Sequence, residues 1–198
     1  GADLEPSELA PVPAASVPAS RPSAGDLSEV IGQHEAVDAL IAAAAGGHHM
    51  LMCGPPGAGK TMLASRLPGI LPDLDDEAAL EVSSIRSLSG IGIDGLVREP
   101  PFESPHHSAS VAALVGGGSR VVRPGAIARA TNGVLFLDEA AEFASSALDA
   151  LRQPLETGSI TIHRSGVTAA FPARFQLVMA TNPCPCGNDG VADRTCSC

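Results

Sequence analysis

The chain has no tryptophan and no tyrosine, and aromatic residues fill only 3% of its 198 positions. An interior built without large rings must be packed with Leu, Ile, Val and Ala, and a hydrophobic content of 44% supplies them. No apolar run approaches the ~20 residues that a membrane helix requires. No charged start leads into an apolar core and a cleavage site, so no secretory leader is read and the expected compartment is the cytoplasm. An excess of basic residues is also missing: the net charge is −10 and the pI about 4.9. Clustered Lys and Arg carry non-specific nucleic-acid binding, so this balance argues against a monomer that coats DNA or RNA. It leaves open a ring that presents a few basic residues to a central pore. At this length one good core is expected.

What the chain does contain is concentrated at Gly54-Pro55-Pro56-Gly57-Ala58-Gly59-Lys60-Thr61, a G-x-x-x-x-G-K-T phosphate loop. It follows a short apolar run, 49–53, and precedes a helical pattern that starts at Met62. Strand, Gly-rich turn and helix are the context that gives the motif its chemistry. The glycines let successive N–H groups point at one anion, and the following helix adds the positive end of its dipole. Lys60 is then expected to reach the β- and γ-phosphates of a nucleotide and Thr61 to ligate Mg²⁺. A second motif is Gly133-Val134-Leu135-Phe136-Leu137-Asp138-Glu139, read as a buried parallel strand that opens into a site at its C-terminal end. Asp138 is expected on the metal side, and Glu139 beside the water that attacks the γ-phosphate. A third strand, 176–181, ends at Asn182, placed to contact the γ-phosphate or that water. An Asn-Pro pair also starts turns readily; the order of the three strands favours the functional reading.

With these motifs the chain resembles the AAA+ ATPases, the three pieces matching Walker A, Walker B and sensor 1. Val30-Ile31-Gly32-Gln33 is similar to the superfamily's lead-in segment, which packs on the adenine; the resemblance thus implies nucleotide contacts at Ile31 and Gly32. More narrowly, 104–110, Gly116-Gly117-Gly118, 123–127, 151–156 and Asn182-Pro183-Cys184-Pro185-Cys186-Gly187 resemble the magnesium-chelatase-like family of the ComM or YifB type. The resemblance covers residues 26–198 and implies a three-layer αβα fold with a mostly parallel sheet, plus a β-hairpin before the sensor strand. It implies Mg²⁺-dependent ATP hydrolysis in a hexameric ring, acting on branched or single-stranded DNA in branch migration during recombination or transformation. Alternatives are an ATP-driven magnesium chelatase subunit, which the Cys-Pro-Cys-Gly segment disfavours, and a nucleotide- or zinc-binding scaffold without turnover. Members continue into a helical lid with an arginine finger and a second sensor, and usually begin with a Lon-protease-like domain. The chain therefore reads as a fragment of such a protein.

Along the chain, 1–24 is Pro-, Ala- and Ser-rich and reads as a linker; 25–183 reads as the nucleotide-binding core and 184–198 as a Cys-rich segment. A helix is expected from Gln33 to Gly46-Gly47 with Val37, Leu40 and Ile41 on its inner face. Pro68 is expected to end the helix after the phosphate loop. Asp75 to Leu88 reads as a helix with Ala79, Leu80 and Ile85 inward, and 145–157 as one that Pro154 kinks or shortens. The hairpin 159–163/167–171 would carry His163, Arg164 and Arg174 as cationic groups. His106 and His107, being adjacent, are expected to diverge from a single metal and to make local hydrogen bonds rather than ligate. Cys53 reads as a buried apolar filler. Four cysteines crowd the end as Cys184-x-Cys186 and Cys196-x-Cys198. Paired thiols on a short loop can surround zinc, although the usual spacing within a pair is two to four residues; four reduced thiols are the alternative.

Overall fold

The computed structural model describes residues 25–118, 122–164, 167–186, 189, 195, 196 and 198, with the backbone alone at Arg164 and Val167. The linker read over 1–24, and Ser165 and Gly166 of the hairpin turn, lie outside the described residues. In chain order the elements are α1 (His34–Gly46), β1 (Met50–Cys53), α2 (Lys60–Ile70), α3 (Asp76–Leu88), β2 (Phe102–Glu103), α4 (Val111–Val115), β3 (Gly116–Gly117), β4 (Arg123–Pro124), α5 (Ala126–Arg129), β5 (Val134–Leu137), α6 (Ser145–Asp149), α7 (Arg152–Thr157), β6 (Ser159–Arg164), β7 (Val167–Pro172) and β8 (Gln176–Thr181). A 3₁₀ turn at Leu27–Glu29 precedes them, and another at Ala140–Glu142 follows β5.

The main sheet runs β1-β8-β5-β2, and each pairing is parallel. Strand β5 shows why both of its faces are covered. All four of its side chains are buried, and they divide by alternation. Val134 and Phe136 enter a core with Leu40 of α1 and Leu63, Ala64 and Leu67 of α2. Leu135 and Leu137 enter a second core with Leu114, Ile127, Leu151 and the hairpin residues Ile160, Ile162 and Phe171. Helices on one face, and helices with the β6–β7 hairpin on the other, give the expected three-layer α/β arrangement. The hairpin is its own antiparallel pair, as expected. Gly133 enters β5 where a Cβ would meet the Pro101 carbonyl and ring, so close packing of the β2 lead-in requires glycine there.

Helix ends follow local chemistry. Asp75 accepts the Ala78 N–H at 2.9 Å as N-cap of α3, and Gly47 closes α1 with φ 62°. Four expectations are corrected. Ile41 is 47% and Leu80 62% exposed, while Leu40, Ala43, Ala79, Val82 and Ile85 are buried. Both misplaced residues sit one position from a buried one, about 100° round the helix. Helix α2 runs two residues past Pro68, because so near a helix end the ring removes a bond from the last turn only. The single helix expected over 145–157 is two, α6 and α7, divided at Ala150 and Leu151; Pro154 has no N–H for the Ala150 carbonyl. Cys53 is exposed, since β1 lies at the end of the described sheet and its other face, with Met50 and Met52, turns into the α1–α2 core. Among the described residues no helix is long and apolar enough to cross a membrane.

Candidate nucleotide-binding site

Parallel pairing of β1, β8 and β5 puts their C-terminal ends on one edge of the sheet, and the three motifs follow those ends. Backbone reversal after β1 is made by Gly57 and Gly59, at φ 79° and 85°, a region that disfavours side chains. Gly59 is the N-cap of α2, so the loop opens into the helix at Lys60 and its amides lie at the positive end of the helix dipole. Lys60 Nζ donates to the carbonyls of Gly54 at 2.7 Å and Pro55 at 3.0 Å, and to Asn182 Oδ1 at 3.1 Å. Thr61 Oγ1 donates to Asp138 Oδ2 at 2.7 Å. Asp138 Oδ1 accepts the Glu139 N–H at 3.0 Å. Glu139 adopts φ 51°, ψ 47°, a left-handed conformation uncommon for a residue with a Cβ. Its Oε2 lies 3.0 Å from His107 Nδ1.

These groups border a cleft of about 430 Å³, within the size range of small-molecule sites. Residues 56–62, Asp138, Glu139 and Asn182 line it, together with Ala180 and Thr181. The structure therefore brings together Lys60, Thr61, Met62, Asp138, Glu139 and Asn182 from segments 122 positions apart at the extreme. Gly54 and Pro55 meet the site through the carbonyls that hold Lys60. Ile31 and Gly32 do not line the cleft, and Ile31 is 96% exposed. Gln33, next in sequence, makes the connection: its Nε2 donates to the Ala58 carbonyl at 2.9 Å. Thr61 Oγ1 and Asp138 Oδ2 offer the hard oxygen donors that suit Mg²⁺.

The magnesium-chelatase model described as "Magnesium chelatase, subunit ChlI" matches residues 26–198. The chain belongs to the magnesium-chelatase family. It is 56% identical over 177 residues to an uncharacterized protein of Mycobacterium tuberculosis, covering 88% of this chain and 35% of that one. It is 55% identical over 172 residues to competence protein ComM of Haemophilus influenzae, covering 86% and 34%. The chain thus spans about a third of the length of these relatives. Its fold is similar to a chain in the complex between subunits BchI and BchD of magnesium chelatase, with a TM-score of 0.62 at 26% identity, over 79% of this chain and 54% of that one. Together these place it among AAA+ proteins, a class of ATPases.

Two features of this family member were not read from spacing. The imidazoles of His106 and His107 lie with their centroids 4.1 Å apart where the chain turns at 107–108. His106 Nδ1 pairs locally with Ser108 Oγ at 2.8 Å, whereas His107 reaches Glu139. The signal for it was the Ser-Pro-His-His segment, which no spacing rule ties to β5. Arg174, expected among the hairpin's outward cations, instead holds Glu81 of α3 at 3.2 Å, because the β7–β8 connection passes that helix. His163 is exposed on the hairpin beside Thr168, 3.2 Å away, and the Arg164 side chain lies outside the described atoms. The thiols of Cys184, Cys186, Cys196 and Cys198 lie within 4.8 Å of one another. A side-chain hydrogen bond with Cys186 is the main influence that pushes the Cys198 thiol up to about 12.

Proposed function

We propose that residues 25–183 form the ATP-binding core of a Mg²⁺-dependent ATPase that works as a ring, hexameric in the whole protein, and drives branch migration on DNA. The observation that carries this reading is the meeting of Lys60, Asn182, Thr61 and Asp138 at one sheet edge, bonded at 3.1 and 2.7 Å across long sequence separations. Lys60 exchanges its loop carbonyls for phosphate oxygens of ATP, while the loop amides and the start of α2 hold the β-phosphate. Thr61 and Asp138 are the residues that would hold Mg²⁺, which when bound neutralises charge on the β- and γ-phosphates. Glu139 orients the attacking water and accepts its proton, and Asn182 fixes the γ-phosphate at the opposite wall. Because no arginine lines the cleft among the described residues, charge building on the transferred group calls for one from elsewhere, and a neighbouring subunit in a ring can provide it.

Identity of 55% to a competence protein, about twice that to the magnesium chelatase chain, favours DNA work over metal insertion. Within that reading the β6–β7 hairpin presents His163 toward the pore, and the acidic remainder of the surface discourages binding outside it.

Lys60 is the chain's single lysine, which gives a direct test. An amine-reactive acyl phosphate of ATP is expected to label Lys60, with excess ATP protecting it, and Lys60→Ala is expected to lose ATP binding while keeping its melting curve. Labelling confined to the N-terminus, or unchanged ATP affinity in the variant, overturns the nucleotide site. Stimulation of turnover in the whole protein by four-way-junction DNA, but not by porphyrin, separates the motor from the chelatase.

A further inference from the structure

We infer that Cys184, Cys186, Cys196 and Cys198 form a tetrathiolate zinc site that ties Cys196 and Cys198 to the segment leaving β8. The four Sγ atoms all lie within 4.8 Å of one another. The Cys184–Cys186 separation is 3.4 Å, and Cys196 lies 3.7 Å from each of them. Those distances far exceed the ~2.05 Å of a disulfide. A tetrahedron with Zn–S bonds of ~2.3 Å has edges of ~3.8 Å, close to the spacings seen. An iron–sulfur cluster places its own iron and sulfide between the thiolates and requires a wider cage.

Backbone amides complete the arrangement. The Cys186 N–H donates to Cys198 Sγ at 3.1 Å and the Asp189 N–H to Cys184 Sγ at 3.3 Å. Bonds of this kind stabilise thiolates and orient them, as outer-shell partners of a metal do. In the first pair the one-residue spacing, tighter than usual, is met by a stiff backbone. Pro183 and Pro185 flank Cys184 and fix its approach at little entropic cost. Cysteine thiolates with no oxygen donor select a soft or borderline ion, which distinguishes this site from the Mg²⁺ position at Thr61 and Asp138.

Location gives the site a consequence. Cys184 is two residues beyond Asn182, and the two share the wall of a cleft of about 510 Å³ with His107 and Glu139. Zinc bound there restrains the segment that carries Asn182. This second statement rests on the nucleotide-site reading; the presence of zinc does not.

The test uses the 198-residue chain purified under reducing conditions without chelator. Elemental analysis is expected to find about one zinc per chain. Exchange with Co²⁺ is expected to give the intense visible bands and thiolate charge-transfer absorption of a tetrahedral cobalt site. The double variant Cys196→Ser/Cys198→Ser, whose changes lie away from β8, is expected to lose the metal. Should that variant misfold, removal of zinc from the wild-type chain with a chelator and its return serve in its place. Wild-type protein with background zinc and a featureless Co²⁺ titration shows four reduced thiols and overturns the site. Iron at equal stoichiometry in place of zinc overturns the identity of the metal. Zinc present with ATP affinity unchanged by its removal overturns the link to Asn182 alone.

Discussion

At the scale of single residues, the contact with most to say about chemistry is His107 with Glu139. A carboxylate that must aim at one water needs its rotamer fixed, and the strained backbone at Glu139 fixes only its origin. His107 Nδ1, 3.0 Å from Oε2, supplies the second constraint. Glu139→Gln is expected to leave ATP binding intact and to lower turnover of the whole protein by about 10²–10⁴-fold, because an amide cannot take the proton. His107→Ala is expected to lower kcat by about 10–100-fold with KM little changed, and His107→Asn to recover part of it, since its amide N–H reaches a similar point. Steady-state kinetics with a parallel ATP-binding titration check both. An unaltered kcat in His107→Ala removes His107 from the site. The rest of the residue scale is economical: Lys60 is held by two carbonyls of its own loop and by Asn182, so the group that would meet phosphate is already within the cleft.

At the scale of elements, β5 does two jobs. Its alternating side chains join the cores on both faces of the sheet, and its end carries Asp138 and Glu139. Phe136 is 1% exposed and stacks on Phe102 of β2 with centroids 5.9 Å apart. Phe136→Ala is expected to destabilise the domain by about 3–5 kcal/mol, the lost transfer energy of the ring plus the cavity it leaves. Urea denaturation followed by circular dichroism measures this; a loss under about 1 kcal/mol shows that Phe136 does not fill the α1–α2 core as described. Stabilising polar contacts lie at the periphery: Arg129 of α5 holds Glu103 of β2 at 2.8 Å, and Arg174 holds Glu81. The latter pair keeps the hairpin's return strand against α3, so Arg174 serves placement of the hairpin, and His163 is exposed on it among the described side chains.

For the whole molecule, the open question is what completes the site. Five arginines hold acidic partners, at Glu29, Asp76, Glu103, Asp149 and Glu81. None of them lines the cleft, and an arginine acting in trans contributes ~10³–10⁵ to the rate of such reactions. The 198-residue chain with Mg²⁺ and excess ATP is therefore expected to bind nucleotide and hydrolyse it very slowly. Turnover near about one per second, abolished by Lys60→Ala to exclude a contaminant, shows instead that the chain holds a complete catalytic set. The chain carries a net charge of −10, so any productive DNA contact is expected to depend on ring formation, which gathers the few basic groups of several subunits on one surface.

The sequence by itself determined the α/β class, the phosphate loop and the strands that end at Asp138 and Asn182. Each of these is local: glycine positions, a four-residue apolar run, a polar residue at its end. Helix existence was equally legible at α1 and α3, because caps such as Asp75 and Gly47 act within one turn. Which face of a helix turned inward was not. Ile41 and Leu80 are as apolar as their buried neighbours, and only the position of the sheet decides between residues about 100° apart. Long-range pairings were decided by tertiary structure alone: His107 with Glu139, Arg174 with Glu81, and Gln33 with the phosphate loop. A hydrogen bond leaves no periodic trace in a sequence when its partners sit on different loops. Their distance is set by how the parallel strands align, and the strands carry no mark of the residues their ends will bring together.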